Sequence, residues 1–266
     1  MLRATTTKTG TLKGLVDAVK LLVGEANLYC APAGLVMQGM DTSNVSMVAF
    51  KLPSTWFSEY VCPQNVVLGL NFLTLEKLFK CAEKTDQTVL MSRKPFEKLL
   101  LFFEARDRIT DFDVSVLDLD AEVFEIPETE YACSVSMPAQ NFKDLVANLN
   151  VAGEQCSVCV TRTEVRFTAT GTLGSLSLAL KDNSSKPDVD NAKRVCITMG
   201  KEFDGHEDAK LEQSFLSSKL LAFSKAAISS RVTLHMSCDT PLLVEYPLGE
   251  DPNGYLRFYL APNIVP

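Results

Sequence analysis

Between residues 12 and 23 the apolar positions Leu12, Leu15, Val16, Val19, Leu22 and Val23 recur at the three-and-four spacing of a helix that buries one face. The same spacing returns at Phe142, Leu145, Val146 and Leu149. After each predicted helix the period drops to two, as in a half-buried strand. NLYC and LVMQGM follow the first helix, SVCV and VRFTAT the second, with APAG and TRTE as the intervening turns. The predicted unit is a helix followed by a hairpin.

That unit occurs twice. Residues 12 to 41 and 142 to 171 both open with an apolar residue, Lys and x-Leu-Val; both then reach Gly-Glu and place a Cys five residues beyond that Glu. A weaker pair extends the likeness: NFLTLEKLFKCAEKTDQTVLMSRKPFEKLLLFFE and SFLSSKLLAFSKAAISSRVTLHMSCDTPLLVEY share the order helix, strand, turn, strand. The expected fold is α+β, with two similar domains that each pack two helices on antiparallel sheets. The N-terminal domain is expected at residues 1–117, a connector at 118–132 and the C-terminal domain at 133–266. FDVSVL (112–117) and LSLAL (176–180) are candidate edge strands. An open edge invites pairing with another copy, and head-to-tail pairing of that type closes a ring or grows a filament.

Composition narrows the class. With 266 residues, 46% hydrophobic and 22% charged, the chain has matter for one large or two smaller cores, and reads as folded and soluble. Its first residues lack the pattern of a secretory signal, and no apolar run approaches bilayer length, so an intracellular protein with no membrane partner is expected. Eight cysteines lie scattered in apolar surroundings, which in that setting suggests reduced, buried thiols. A net charge of −7 argues, as a total, against a surface made for nucleic acid, although a total can hide a local basic patch.

Catalytic signatures are missing: no phosphate-binding loop, dinucleotide fingerprint, nucleophile elbow or H-E-x-x-H occurs. The two histidines read as a surface residue (His206) and a satisfied strand residue (His235). Cys156 and Cys159 form a C-x-x-C, but on an extended strand they point to opposite faces and no second pair completes four ligands. Asp118, Asp120, Glu122 and Glu125 lack a glycine-centred calcium loop and read as a solvated acidic connector. A non-enzyme with no metal and no cofactor is expected.

The helices carry basic residues opposite their apolar stripes: Lys13 and Lys20, then Lys77 and Lys80, then Lys143, then Lys219 and Lys225. For any one lysine, ordinary solvated surface is the better reading. Seven across four equivalent helices suggest a basic strip that contacts phosphates without reading bases, in a manner that salt would weaken steeply.

LKGLVDAVKLLVGEAN, MDTSNVSMV (40–48), LEKLFKCA (75–82), LDLDAEVFEIPETEY (117–131) and YLAPNI (259–264) closely resemble the proliferating cell nuclear antigen family of eukaryotic sliding clamps, and the likeness runs through nearly the whole chain. The resemblance implies a nuclear, closed homotrimeric ring of six similar domains, with helices lining the hole. Such a ring encircles double-stranded DNA without sequence preference, is placed there by a clamp loader, and tethers DNA polymerase and other replication and repair factors. It further implies that Phe112, Val114 and Val116 of one subunit pair with Leu176, Leu178 and Leu180 of the next. A pocket for short aromatic-anchored client motifs is implied at Met40, Asn44, Val45, Met47, Phe124, Ile126, Pro127, Pro241, Tyr259, Ala261 and Pro262. This accounts for a connector both acidic and apolar: the acids attract basic client tails, and Phe124, Ile126 and Pro127 grip.

Some positions depart from the family pattern. Asp144 and Ala147 stand where the third helix usually presents basic residues, and Arg162 stands where the family has a ubiquitin-accepting lysine, a modification a guanidinium cannot take. Asn44 replaces a usual His, and residues 183–213 are longer than expected, as surface loops. The alternative reading is a client-binding scaffold ring, a secondary paralogue that does not serve as the main replicative clamp.

Overall fold

A computed structural model describes residues 1–120, 129–172, 174–186, 190, 193–200, 210–226, 228–238, 240–249 and 251–263. The chain forms two compact units, Met1–Glu125 with Pro247–Leu256, and Ile126–Tyr246 with Arg257–Pro266.

The first unit contains β1 (Leu2–Thr6), α1 (Thr9–Val19), β2 (Glu25–Ala31), β3 (Gly34–Met40), β4 (Ser46–Pro53), β5 (Glu59–Val61), β6 (Val66–Asn71), α2 (Phe72–Phe79), β7 (Gln87–Ser92), β8 (Lys98–Glu104) and β9 (Ile109–Ser115). Its strands lie in two runs, β5-β1-β7-β8-β9 and β4-β3-β2-β6. The second unit holds β10 (Cys133–Pro138), α3 (Ala139–Ala152), β11 (Gln155–Val160), β12 (Glu164–Gly171), β13 (Gly174–Lys181), β14 (Cys196–Met199), β15 (Leu211–Leu216), α4 (Ser217–Ser224), β16 (Arg231–Met236) and β17 (Leu242–Pro247), with β18 (Tyr255–Leu260) beside β17. Its runs are β14-β10-β16-β17-β18 and β13-β12-β11-β15. Element for element, the second unit repeats the order of the first.

Local chemistry sets these elements. The Asn71 side chain accepts from the Thr74 amide at 2.8 Å and caps the start of α2. Pro138 precedes α3, where its fixed φ suits a helix entry. The β2–β3 hairpin turns in two residues, and Gly34 holds φ +139° there with a Cβ position only 2.2 Å from the Leu52 carbonyl oxygen, so no other residue fits.

In each unit the helices pack side by side over the sheets. α1 buries Leu12, Leu15, Val16 and Val19, and α2 buries Phe72, Leu75 and Phe79. Phe79 meets Phe103 edge-on at 5.1 Å, and Phe103 meets Phe112 at 6.1 Å. In the second unit α3 buries Phe142, Leu145, Val146 and Leu149, while Phe223 of α4 stacks on Phe258 at 4.7 Å. Each fully buried phenylalanine contributes about 1.5–3 kcal/mol of transfer free energy. Tyr246 sends its hydroxyl to the Phe223 carbonyl at 3.0 Å, so even the polar tip in this core is satisfied.

Several expectations change. The helical spacing runs through Val23, but α1 stops at Val19; Val23 turns back so that its amide bonds the Val19 carbonyl, and Gly24 accepts from the Phe72 amide at 2.7 Å. FDVSVL is not one strand: β9 starts earlier and ends at Ser115, because the Val116 amide bonds Glu97 and the Leu117 amide bonds Gly69. Residues 183–213, expected as surface loops, include β14, whose Ile197 sits opposite Val135 of β10. Residues 187–189, 191–192 and 201–209 of that stretch, His206 among them, lie outside the described residues. His235 is on strand β16, as expected, but it is not satisfied: its Nε2 is buried and makes no hydrogen bond among the described residues.

Candidate nucleic-acid interface

The seven lysines stand on or just past the four helices, in unequal circumstances. Lys13, on α1, sends its Nζ to the Ala82 carbonyl at 3.3 Å. Lys20, the first residue beyond α1, is half-buried and lies 3.2 Å from Asp17 and 2.7 Å from Glu76. Lys80, the first residue beyond α2, reaches the same Glu76 oxygen at 2.7 Å. Glu76 is only 12% exposed, and its carboxyl is held down to about 2 by the hydrogen bond from Lys20 first and that from Lys80 second. Lys77 is exposed with no ion-pair partner among the described residues. Of these four lysines, Lys77 is the one that makes no ion pair or side-chain hydrogen bond among the described residues.

In the second unit Lys143 on α3 and Lys225 just past α4 are exposed, again without an ion-pair partner among the described residues, and Lys219 is half-buried. Lys143 and Lys225 border a cleft of about 490 Å³ between the start of α3 and the turn after α4, with Gln140, Ser229 and Ser230 in its wall. Asp144, the departure noted on this helix, accepts from Gln140 Nε2 at 2.7 Å; Ala147 is exposed.

Reading the sequence missed Glu76. Its spacing to Lys80 is the i,i+4 of a helical ion pair and is visible in LEKLFK, but Lys20 lies too far away in sequence for any local rule to join them. It also missed the cleft, which forms only when the α3–α4 pair is assembled.

The first-unit residues expected to bind clients gather at the β3–β4 turn. Met40 lies opposite Met47, with Met40 and Val45 half-buried and Met47 buried. Asp41 organises the turn: its carboxylate accepts from the amides of Val45 and Ser46 at 3.0 Å each and from the Ser43 hydroxyl at 2.6 Å. Asn44 sits at φ +56°, a left-handed conformation that Asn tolerates better than most residues. In the second unit Pro241 is exposed, Tyr259 is buried, and Ala261 and Pro262 are half-buried ahead of Asn263, whose amide is tied to Ser214 at 2.7 Å. Phe124, Ile126 and Pro127 lie outside the described residues, as do Glu122 and Glu125.

β9 and β13 are end strands of their runs. On β9, Phe112 is half-buried and Val114 buried, and Val116 lies half-buried just beyond it; on β13, Leu176, Leu178 and Leu180 are half-buried while Ser175, Ser177 and Ala179 are exposed. Cys156 is buried and Cys159 half-buried on alternate faces of β11, and burial pushes both thiols up, Cys156 to about 12. No group of three or more potential metal-binding side chains occurs among the described residues. No helix among them is long and apolar enough to cross a membrane.

Two family models match this duplicated architecture: proliferating cell nuclear antigen, N-terminal domain, over residues 1–124, and its C-terminal domain over residues 125–263. The chain belongs to the proliferating cell nuclear antigen family. A proliferating cell nuclear antigen of Chaetomium thermophilum is 34% identical over 273 residues, covering 99% of this chain and 98% of the relative. Proliferating cell nuclear antigen 2 of Drosophila melanogaster is 34% identical over 267 residues, with the same coverage. As a family member, the chain is a DNA sliding clamp and processivity factor of replication and repair. Family membership brings DNA, further copies of itself and polymerases or other clients as partners, and the proliferating cell nuclear antigen family is a non-enzymatic one.

Proposed function

We propose that three copies of the chain close head to tail into a nuclear ring around duplex DNA, β9 of each pairing with β13 of the next. The carrying observation is that each unit ends one of its strand runs in a strand with an apolar face only partly covered, one at β9 and one at β13. On this reading residues 1–117 and 133–266 are the two clamp domains and 118–132 the connector. A clamp loader opens the ring, and Lys77, Lys143 and Lys225 make its most available phosphate contacts, with Lys13, Lys20, Lys80 and Lys219 held back by neighbours or burial. Clients bring short aromatic-anchored motifs to Met40, Asn44, Val45, Met47, Phe124, Ile126, Pro127, Pro241, Tyr259, Ala261 and Pro262. No cofactor or metal is needed for topological tethering.

Two measurements on one preparation test this. Light scattering is expected to give a mass near three times 29.3 kDa, and a stable monomer at micromolar concentration would end the ring. In that trimer, Lys77→Glu with Lys143→Glu and Lys225→Glu is expected to weaken duplex binding by about tenfold or more at low salt, because each lost phosphate contact removes released counterions. Unchanged binding and polymerase processivity would refute the assignment of these lysines.

A further inference from the structure

Glu76 has no role in the clamp reading, yet it is the most strongly engaged acid on the helices. One oxygen, Oε1, lies 2.7 Å from the ammonium of Lys20 beyond α1 and 2.7 Å from that of Lys80 beyond α2. With Asp17 at 3.2 Å from Lys20, two cations and two anions form a cluster of zero net charge on the helix pair that carries the first unit's lysines. An anionic oxygen shared between two lysines is also the arrangement a DNA phosphate oxygen would take between them. A phosphate approaching Lys20 or Lys80 must therefore displace a carboxylate already in place.

We propose that Glu76 is a built-in competitor of the DNA phosphate for Lys20 and Lys80, lowering the affinity of the first unit for the duplex and leaving Lys77 as its available contact. The inference rests on the reading that these helices face DNA. It makes Glu76 a residue that tunes how loosely the clamp holds its track: weaker, more salt-tolerant contacts favour movement along the duplex, since retention by a closed ring does not need tight binding. The rival explanation is a plain strut, in which Glu76 only ties the end of α1 to α2. Both explanations expect E76Q to lower thermal stability, so stability does not separate them, and DNA binding does.

The test uses the assembled full chain and a fluorescently labelled duplex of mixed sequence, titrated by anisotropy over a sodium chloride series at pH 7. For E76Q the expected result is about three- to tenfold tighter binding at low salt and a log–log salt slope steeper by about 0.9 for each phosphate newly contacted. E76D, which keeps the charge, is expected to bind as wild type. Lys20→Ala is expected to cancel most of the gain in E76Q, a coupling that a double-mutant cycle reads directly. Equal or weaker binding by E76Q with an unchanged slope overturns the proposal. Absence of any salt-dependent duplex binding by the wild-type trimer would instead defeat the DNA-facing reading beneath it, and this proposal with it.

Discussion

Lys20 and Lys80 hold the Glu76 carboxyl at about 2, well below the free value of about 4.3. A carboxyl depressed in the folded state stabilises the fold above its unfolded pKa and loses that contribution as pH falls toward its folded value. The melting temperature of wild type is therefore expected to exceed that of E76Q at pH 7, with the gap shrinking below pH about 4 and closing near pH 2; circular dichroism melts across that range check it. A gap independent of pH would mean that the glutamine disturbs packing rather than charge. At this scale the sequence was legible only where partners are near neighbours. The Asp41 turn can be read from MDTSNVSM, and Glu76–Lys80 from its spacing, but the Lys20–Glu76 contact and the unsatisfied His235 depend on which elements fold against each other.

Secondary elements were more legible than their ends. The four amphipathic helices and both hairpins show in the apolar period, since packing one face against a sheet leaves a pattern at 3.6 or 2. The strands that lead each unit, β1 and β10, were not recognised: LRATT buries Thr5 and Thr6 as well as Leu2 and Ala4, so the alternation that marks a strand is blurred. β14 was hidden in a polar context, and its four residues form a strand only because β10 offers a ladder. For the end strands, Phe112→Ala removes a half-buried ring next to Phe103. Truncating an aromatic at an interface costs about 2 kcal/mol or more, so the dissociation constant for assembly is expected to rise by roughly 30-fold, read by sedimentation across a dilution series. An unchanged constant would remove Phe112 from the proposed contact.

On the scale of the whole molecule, duplication was the clearest message in the sequence, because two copies of one unit repeat their helix faces, turns and even a Gly-Glu. The distribution of charge was the least clear. A formal −7 with seven helical lysines says nothing about which ammonium groups are already satisfied, and three in the first unit are engaged by Ala82, Asp17 or Glu76. For clients, Ile126→Ala is expected to weaken an aromatic-anchored peptide by about tenfold, one lost large apolar contact, while leaving the mass of the assembly unchanged. Calorimetry with such a peptide checks it, and undiminished affinity would move the grip elsewhere.

The departure of the chain from the first unit has a mechanical side. Leu117 bonds Gly69 through its amide at 2.8 Å, the Leu117 carbonyl lies so close that Gly69 could carry no side chain, and Asn27 holds the Leu119 carbonyl at 3.1 Å. A pull transmitted through the chain beyond Asp120 would meet the Leu119 bond and then the Leu117 bond before it reached β9. The two bonds would take such a load first, like the clamp on a cable, and spare the strand proposed to hold neighbouring subunits together.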